Sequence, residues 1–231
     1  MTTTGSNTVL IVDPHQDDET ISMGVAVRDH LLAGLDVHIL LLTTGENSAV
    51  RAELAMDIPT FIGVRDDELY RAARQIGVRT DHIHVDPARG PDNQLQVADA
   101  QAMIADWLEA HPGARVKSYT NLTNFTQHVD HAAAGQACVN LWQAGVIGDL
   151  RLYVEPWLLN QFKTANPTIK VGTETITDNT AVLRGIDQYA LGWQTADTAG
   201  GFWGVGFRSV ATEFQAVRAN PASYWHAPVA A

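Results

Sequence analysis

Apolar positions along the chain come in short blocks separated by polar, chemically loaded stretches. Thr8–Val12 (TVLIV) is apolar without alternation, and Asp36–Leu42 (DVHILLL) is nearly so. Runs of this kind mark strands covered on both faces, as in a parallel sheet. His82–Val85, Val116–Thr120 and Leu150–Val154 are further strand-like blocks. Between them the period changes. Glu19–Ala33 carries Ile21, Val25, Leu31 and Leu32 at helical spacing, with Gly34 just past the end. Asp66–Ile76 stops at Gly77, Val97–Glu109 stops at Pro112-Gly113, and His131–Ala144 is a further helix. Strand and helix alternate about four times, which predicts an α/β fold. The expected form is a Rossmann-like three-layer sandwich, a mostly parallel sheet with helices on both faces.

The last third is less regular. Ile169–Val171 reads as an edge strand, and Asn179–Tyr189 and Ser209–Ala219 as helices. Between these helices lies Gly192–Phe207, rich in glycine and tryptophan. No repeat, linker or low-complexity tract divides the chain. One domain over residues 1–231 is expected, its motif-bearing part at about 8–154 and an irregular extension at about 155–231.

Composition narrows the class. Of 231 residues, 45% are hydrophobic and 18% charged, enough to bury a core and to exclude disorder. The net charge of -11 repels phosphate backbones, so nucleic acid is not an expected partner. Apolar runs are too short to span a bilayer, and Met1–Thr8 has no leader-like pattern. A cytoplasmic protein with no membrane span is therefore expected. Cys138 is the only cysteine, which excludes an internal disulfide and a cysteine-rich zinc site. It reads as a buried, inert thiol.

In open α/β sheets, ligands bind beyond the carboxyl ends of the strands. The loaded segments fall there: Asp13–Glu19, Thr43–Ser48, Asp86–Gln94 and Asn121–His131. The first contains Pro14-His15-Gln16-Asp17-Asp18-Glu19. A helix start accounts for its carboxylates, which meet exposed N–H groups and the helix dipole. It does not account for His15, nor for so many carboxylates together, and a cation would relieve their repulsion. The last contains His128-Val129-Asp130-His131. Capping by Asp130 would explain that segment alone. Together the two supply His15, Asp18 and His131, a two-histidine, one-carboxylate set with open metal positions. Such a set accepts zinc or ferrous iron.

These runs resemble the LmbE/PIG-L family of zinc-dependent N-deacetylases. Its signature is His-Pro-Asp-Asp-Glu after the first strand and His-x-Asp-His downstream. Thr44-Gly45-Glu46 adds to the match, as does Arg65-Asp66-Asp67-Glu68 opening a helix that ends in Ile76-Gly77-Val78. The resemblance covers about residues 8–145. It implies that His15, Asp18 and His131 bind one zinc per chain and that Asp17 is the general base. It further implies that His128, as an imidazolium, stabilises the oxyanion and that Asp130 orients His128. The implied reaction removes an N-acetyl group from an N-acetylglucosamine-type sugar or glycoside, so the expected partner is a small N-acylated molecule.

Glu46, Arg65 and Asp92 are candidate substrate contacts, although a solvated loop, an ion pair and turn chemistry would account for them equally. Two positions depart from the family. Gln16 replaces the proline, and Thr126 stands where several relatives carry a tyrosine. They motivate an alternative substrate, another N-acyl amine such as a thiol conjugate or secondary metabolite. A nucleotide-binding module is the competing class. Its Gly-rich turn is absent: Asp13–Asp18 holds no glycine and three aspartates, which would repel a pyrophosphate. His30, His38, His82, His84 and His111 read as structural or exposed. Trp193, Phe202, Trp203 and Phe207 suit either a ligand pocket or a subunit interface, which leaves a homo-oligomer open.

Overall fold

The computed structural model describes residues 6–122, 128–190 and 210–229. Its sheet has seven strands: β1 (Thr8–Asp13), β2 (Asp36–Thr43), β3 (Ile83–Gly90), β4 (Arg115–Tyr119), β5 (Leu150–Val154), β6 (Gly172–Glu174) and β7 (Ser223–His226). Their order is β3-β2-β1-β4-β5-β7-β6. The first five are parallel, and β7 runs antiparallel to both β5 and β6. The helices among the described residues are α1 (Asp18–Ile21), α2 (Gly24–Leu32), α3 (Ala49–Glu53), α4 (Ile58–Ile76), α5 (Val97–Ala110), α6 (Val129–Gln143), α7 (Leu159–Ala165), α8 (Thr180–Ala190) and α9 (Ala211–Ala219).

Two cores explain the unbroken apolar runs. Leu10 and Val12 of β1 pack with Ile104 of α5 and with Ala134 and Cys138 of α6. Val9 and Ile11 point the other way, to Met23, Val27 of α2, and Leu69 and Ala73 of α4. Both faces of β1 are thus apolar, and each buried Val, Leu or Ile contributes roughly 1.5–3 kcal/mol. This is the expected α/β sandwich. Cys138 is buried, and desolvation pushes its thiol up to about 12.

Several boundaries differ from expectation. The helix expected over Glu19–Ala33 breaks into α1 and α2. Met23 at the break is fully buried among Ile11 and Ile39, and Ser22 turns its hydroxyl to Tyr119, so tertiary packing overrides the helical period. The helix expected from Asp66 starts at Ile58, where Asp57 caps the Thr60 amide at 3.0 Å and Pro59 sits in the first turn. The edge strand expected at Ile169–Val171 lies instead at Gly172–Glu174. Ile169 and Val171 pack against Val154 and Phe162, while Gly172 gives room to Trp225 of β7. A Cβ at Gly172 would stand 2.6 Å from that indole. Thr126 and the segment 192–207, with Trp193, Phe202, Trp203 and Phe207, lie outside the described residues. No described helix is long and apolar enough to cross a membrane.

One glycine brings the downstream motif to the sheet. At Gly135 of α6 a Cβ would meet the Tyr119 carbonyl oxygen at 2.4 Å and the Asn121 amide nitrogen at 2.8 Å. Only glycine allows the helix this close to the end of β4. His131 lies four residues earlier, on the same helical face.

Candidate active site

The turn after β1 is backbone-strained. Asp17 has φ 137°, a region that non-glycine residues occupy at a cost of roughly 1–3 kcal/mol and mostly at functional sites. Its amide donates to Glu19 Oε2 at 3.2 Å, and its Oδ2 accepts from Arg65 Nη2 at 2.8 Å. Asp18 opens α1 and its Oδ2 accepts the His15 amide at 2.8 Å. The downstream motif opens α6. His128 is its N-cap, with Nδ1 accepting the Asp130 amide at 3.3 Å. Neutral His128 therefore carries its proton on Nε2.

The folded chain brings His15, Asp18 and His131 together. His15 Nδ1 lies 3.3 Å from Asp18 Oδ2 and 3.2 Å from His131 Nε2. His131 Nε2 lies 3.3 Å from Asp18 Oδ1. A tetrahedral cation with ligand bonds of about 2.0–2.1 Å sets its donors about 3.3 Å apart, and one donor atom from each of the three residues, all within 4.8 Å of one another, can converge on such an ion. Outer contacts hold each of these side chains. Tyr119 donates to Asp18 Oδ1 at 2.7 Å and stacks on the His131 ring at 3.9 Å. Glu155 Oε1 lies 3.2 Å from His131 Nδ1. On the far side of His15, Nε2 is 3.1 Å from Asp130 Oδ2 and 3.2 Å from Asp92 Oδ1. Asp130 also accepts the amides of Asn93 at 2.7 Å and Leu95 at 3.0 Å. Asp130 is thus nearer His15 than His128, whose Nδ1 is 3.9 Å away.

Electrostatics follow from this crowding. Burial disfavours the His15 cation, but Asp130, Asp18 and Asp92 outweigh it and hold His15 well above the usual imidazole range. Burial also opposes charge on His131, yet Asp18 and Glu155 raise it to about 9. Asp18 is held well below the carboxylate range because the two imidazoles overcome its desolvation. A cation held by this triangle would take the place of these protons. Burial, with Asp18 beside it, raises Asp17 to about 6 against the pull of Arg65. Burial and the neighbouring His15 and His131 push His128 down to about 4, so near neutral pH it is a neutral imidazole and not the imidazolium that the resemblance implies. Burial lifts Glu19 to about 8, despite hydrogen bonds from Thr20 and Tyr189.

The three candidate substrate contacts are engaged in the fold. Arg65 is buried against Asp17, with Glu68 at 3.4 Å. Glu46 accepts the Asp92 amide at 3.0 Å, and the Asp92 carboxylate accepts the Asn47 amide at 3.2 Å. Gln16, in the proline position, is fully buried. Its Nε2 donates to the Thr44 carbonyl at 3.2 Å and to Asp66 Oδ1 at 2.7 Å. Arg89 grips the same Asp66 at 2.7 and 2.6 Å. The loop is held from its side rather than by a ring. Beside these residues opens a cleft of about 380 Å³, whose lining includes the polar Asn47, Ser48 and Asn93 and the apolar Ile21, Trp157 and Val210.

Sequence reasoning missed Glu155 and Tyr119. Glu155 had a signal: it follows β5 at the sheet edge where the other loaded segments lie. Tyr119 had none inside its strand. Glu155→Ala is expected to weaken metal binding roughly 10–100-fold, since it removes the group that orients His131. Competition against a chelator measures this, and an unchanged affinity would show that Glu155 does not position the ligand.

A family model described as GlcNAc-PI de-N-acetylase, PIG-L, matches residues 10–142. A 1D-myo-inositol 2-acetamido-2-deoxy-alpha-D-glucopyranoside deacetylase of Mycobacterium avium (strain 104) is 37% identical over 75 residues, covering 30% of this chain and 25% of that protein. The match thus spans about a quarter of the curated relative. Among solved structures, the 4-carboxy-2-hydroxymuconate hydratase GalB of Pseudomonas putida KT2440 aligns with a TM-score of 0.62 at 17% identity, over 97% of both chains. The zinc-inhibited form of teicoplanin deacetylase Orf2 gives 0.63 at 14% identity, over 95% of this chain and 97% of that one. N,N'-diacetylchitobiose deacetylase of Pyrococcus horikoshii gives 0.59 at 15%, over 95% and 82%. At such identities the likeness is one of fold. The family match at 10–142 covers more than half of the 231 residues and includes both motifs, and the chain belongs to the PIG-L family.

Proposed function

We propose that this chain is a metal-dependent N-deacetylase that removes the N-acetyl group from an N-acetylglucosamine-type sugar or glycoside. The observation that carries this reading is the triangle of His15, Asp18 and His131 with the strained Asp17 carboxylate beside it. His15, Asp18 and His131 would hold one divalent cation, zinc by preference, which supplies Lewis acidity toward the acyl oxygen and acidifies water. Asp17 takes the proton from the attacking water. Arg65 occupies Asp17 Oδ2 and leaves Oδ1 for that proton. The water oxygen bonds to the acyl carbon, the carbon–nitrogen bond breaks, and the proton passes to the departing nitrogen. Acetate and a free amine result. His128, with Nδ1 turned to the Asp130 amide, donates from Nε2 to the developing oxyanion. Asp130 steadies His15 and the start of α6.

A second reading keeps the chemistry and changes the substrate to another N-acyl amine. Ile21, Trp157 and Val210 in the cleft lining offer apolar surface to such a substrate. The test is amine release by the zinc-loaded protein from a panel of N-acetylglucosamine glycosides and apolar N-acyl amines. Amine from the glycosides is expected. Amine only from the apolar compounds would favour the second reading. A metal-loaded protein that releases amine from neither would overturn the hydrolase.

A further inference from the structure

We propose that Asp36, His38 and His82 form a second site for a borderline transition-metal cation such as Zn²⁺ or Ni²⁺, at the opposite end of the sheet from the catalytic set. β2 and β3 are parallel with Ile39 beside Ile83, so their amino ends bring positions 38 and 82 together. Asp36 opens β2, and His38 lies two residues on, along one face. Asp36 Oδ2 is 3.4 Å from His38 Nε2, and Asp36 Oδ1 is 3.3 Å from His82 Nδ1. A single carboxylate spans two imidazoles, one oxygen to each. Asp18 spans His15 and His131 in the same way, at 3.3 and 3.3 Å. The two sites share donor types, and in each one ligand atom from every residue lies within 4.8 Å of the others, close enough to converge on one cation.

The surroundings support ligation. The second nitrogen of His38, Nδ1, lies 3.0 Å from His84 Nε2, the kind of outer contact that fixes a ligating ring. His111, stacked on Trp107 at 3.9 Å, and Trp107 itself each lie 5.3 Å from the His38 ring. The two imidazole side chains are 7% and 11% exposed, whereas Asp36 is 53% exposed and leaves a way in. Imidazole and carboxylate donors suit zinc, nickel, cobalt and copper rather than magnesium or calcium. One adjustment is required. The His38 and His82 rings are stacked at 3.9 Å and 16°, so His82 tilts to aim its lone pair at the shared point. His82 ends a short 3₁₀ turn, Thr80–His82, and its Nδ1 contacts the Val37 carbonyl at 3.3 Å. Ligation takes His82 Nδ1 from the Val37 carbonyl toward the cation.

The test is equilibrium dialysis of the full chain against low-micromolar Zn²⁺, with metal counted per chain, for wild type, Asp36→Asn, His82→Gln and His131→Ala. Wild type is expected to hold two zinc ions, and each variant one. Asp36 is exposed, so Asp36→Asn keeps the measurement meaningful if a histidine variant misfolds. Zinc that is lost in Asp36→Asn but not in His131→Ala would uphold this site and count against the catalytic set. A wild type holding at most one zinc, removed by His131→Ala, would overturn the second site. Two zinc ions retained by both Asp36→Asn and His82→Gln would overturn it as well.

Discussion

Asp17→Asn is expected to lower turnover roughly 10²–10⁴-fold while leaving metal content unchanged. Asn keeps the shape of the side chain and tolerates the left-handed region better than most residues, so the turn at φ 137° survives. The amide oxygen still accepts from Arg65, and Glu68 still faces the guanidinium, so no buried cation is left alone. What is lost is the carboxylate proposed to take the proton from the attacking water. The neighbouring Asp18, His15 and His131 keep their mutual distances, which is why metal is retained. Steady-state rates and metal content on one preparation check this. Turnover within tenfold of wild type would show that another group is the base.

His131→Ala is expected to remove both metal and activity, by more than the roughly 10–100-fold carried by groups that only orient a ligand. His131 supplies one corner of the triangle and carries the link to Glu155. Dialysis followed by metal counting and an amine-release assay check this. A variant that retains stoichiometric metal would remove His131 from the ligand set. In the metal-free protein the substitution also has a pH signature. His131 is raised from 6.5 to about 9 because Asp18 and Glu155 outweigh its burial. A raised imidazole contributes stability that is full below about 6.5 and disappears as pH rises through 9. The melting-temperature gap between metal-free wild type and variant should therefore be widest at pH below about 6.5 and narrow toward pH 9. A gap independent of pH would mean that His131 is not charged in the folded metal-free chain.

The central sheet could be read from the chain because its signals are local. β1 and β2 are apolar on both faces, and Gly34 and Gly77 mark where helices stop. The two acidic and histidine-bearing motifs stood out because they interrupt that apolar regularity. What escaped depends on contacts between distant residues. The break at Ser22 and Met23 is set by Tyr119, about a hundred positions away. β7 is short, and its place between β5 and β6 follows from pairing rather than from its own pattern. His38, His82, His84 and His111 each read as an isolated structural histidine, and the register of β2 against β3 is what assembles them. Arg65 stood out as a candidate substrate contact, and what its sequence position did not reveal is the ion pair with Asp17 that it makes while lining the cleft.

The place of β7 has a consequence for the order in which the protein is made. β1 to β5 can pair as they leave the ribosome, since each neighbours a strand already present by residue 154. β6 cannot join them, because β7 is the strand that connects it to the sheet and is synthesised much later. Until residues 223–226 emerge, the outer edge of β5 is open, and Leu152 and Val154 lie along it. An open edge is a template for pairing with other nascent chains. A chain shortened before residue 223 would keep the segments that carry both motifs and leave that edge uncovered.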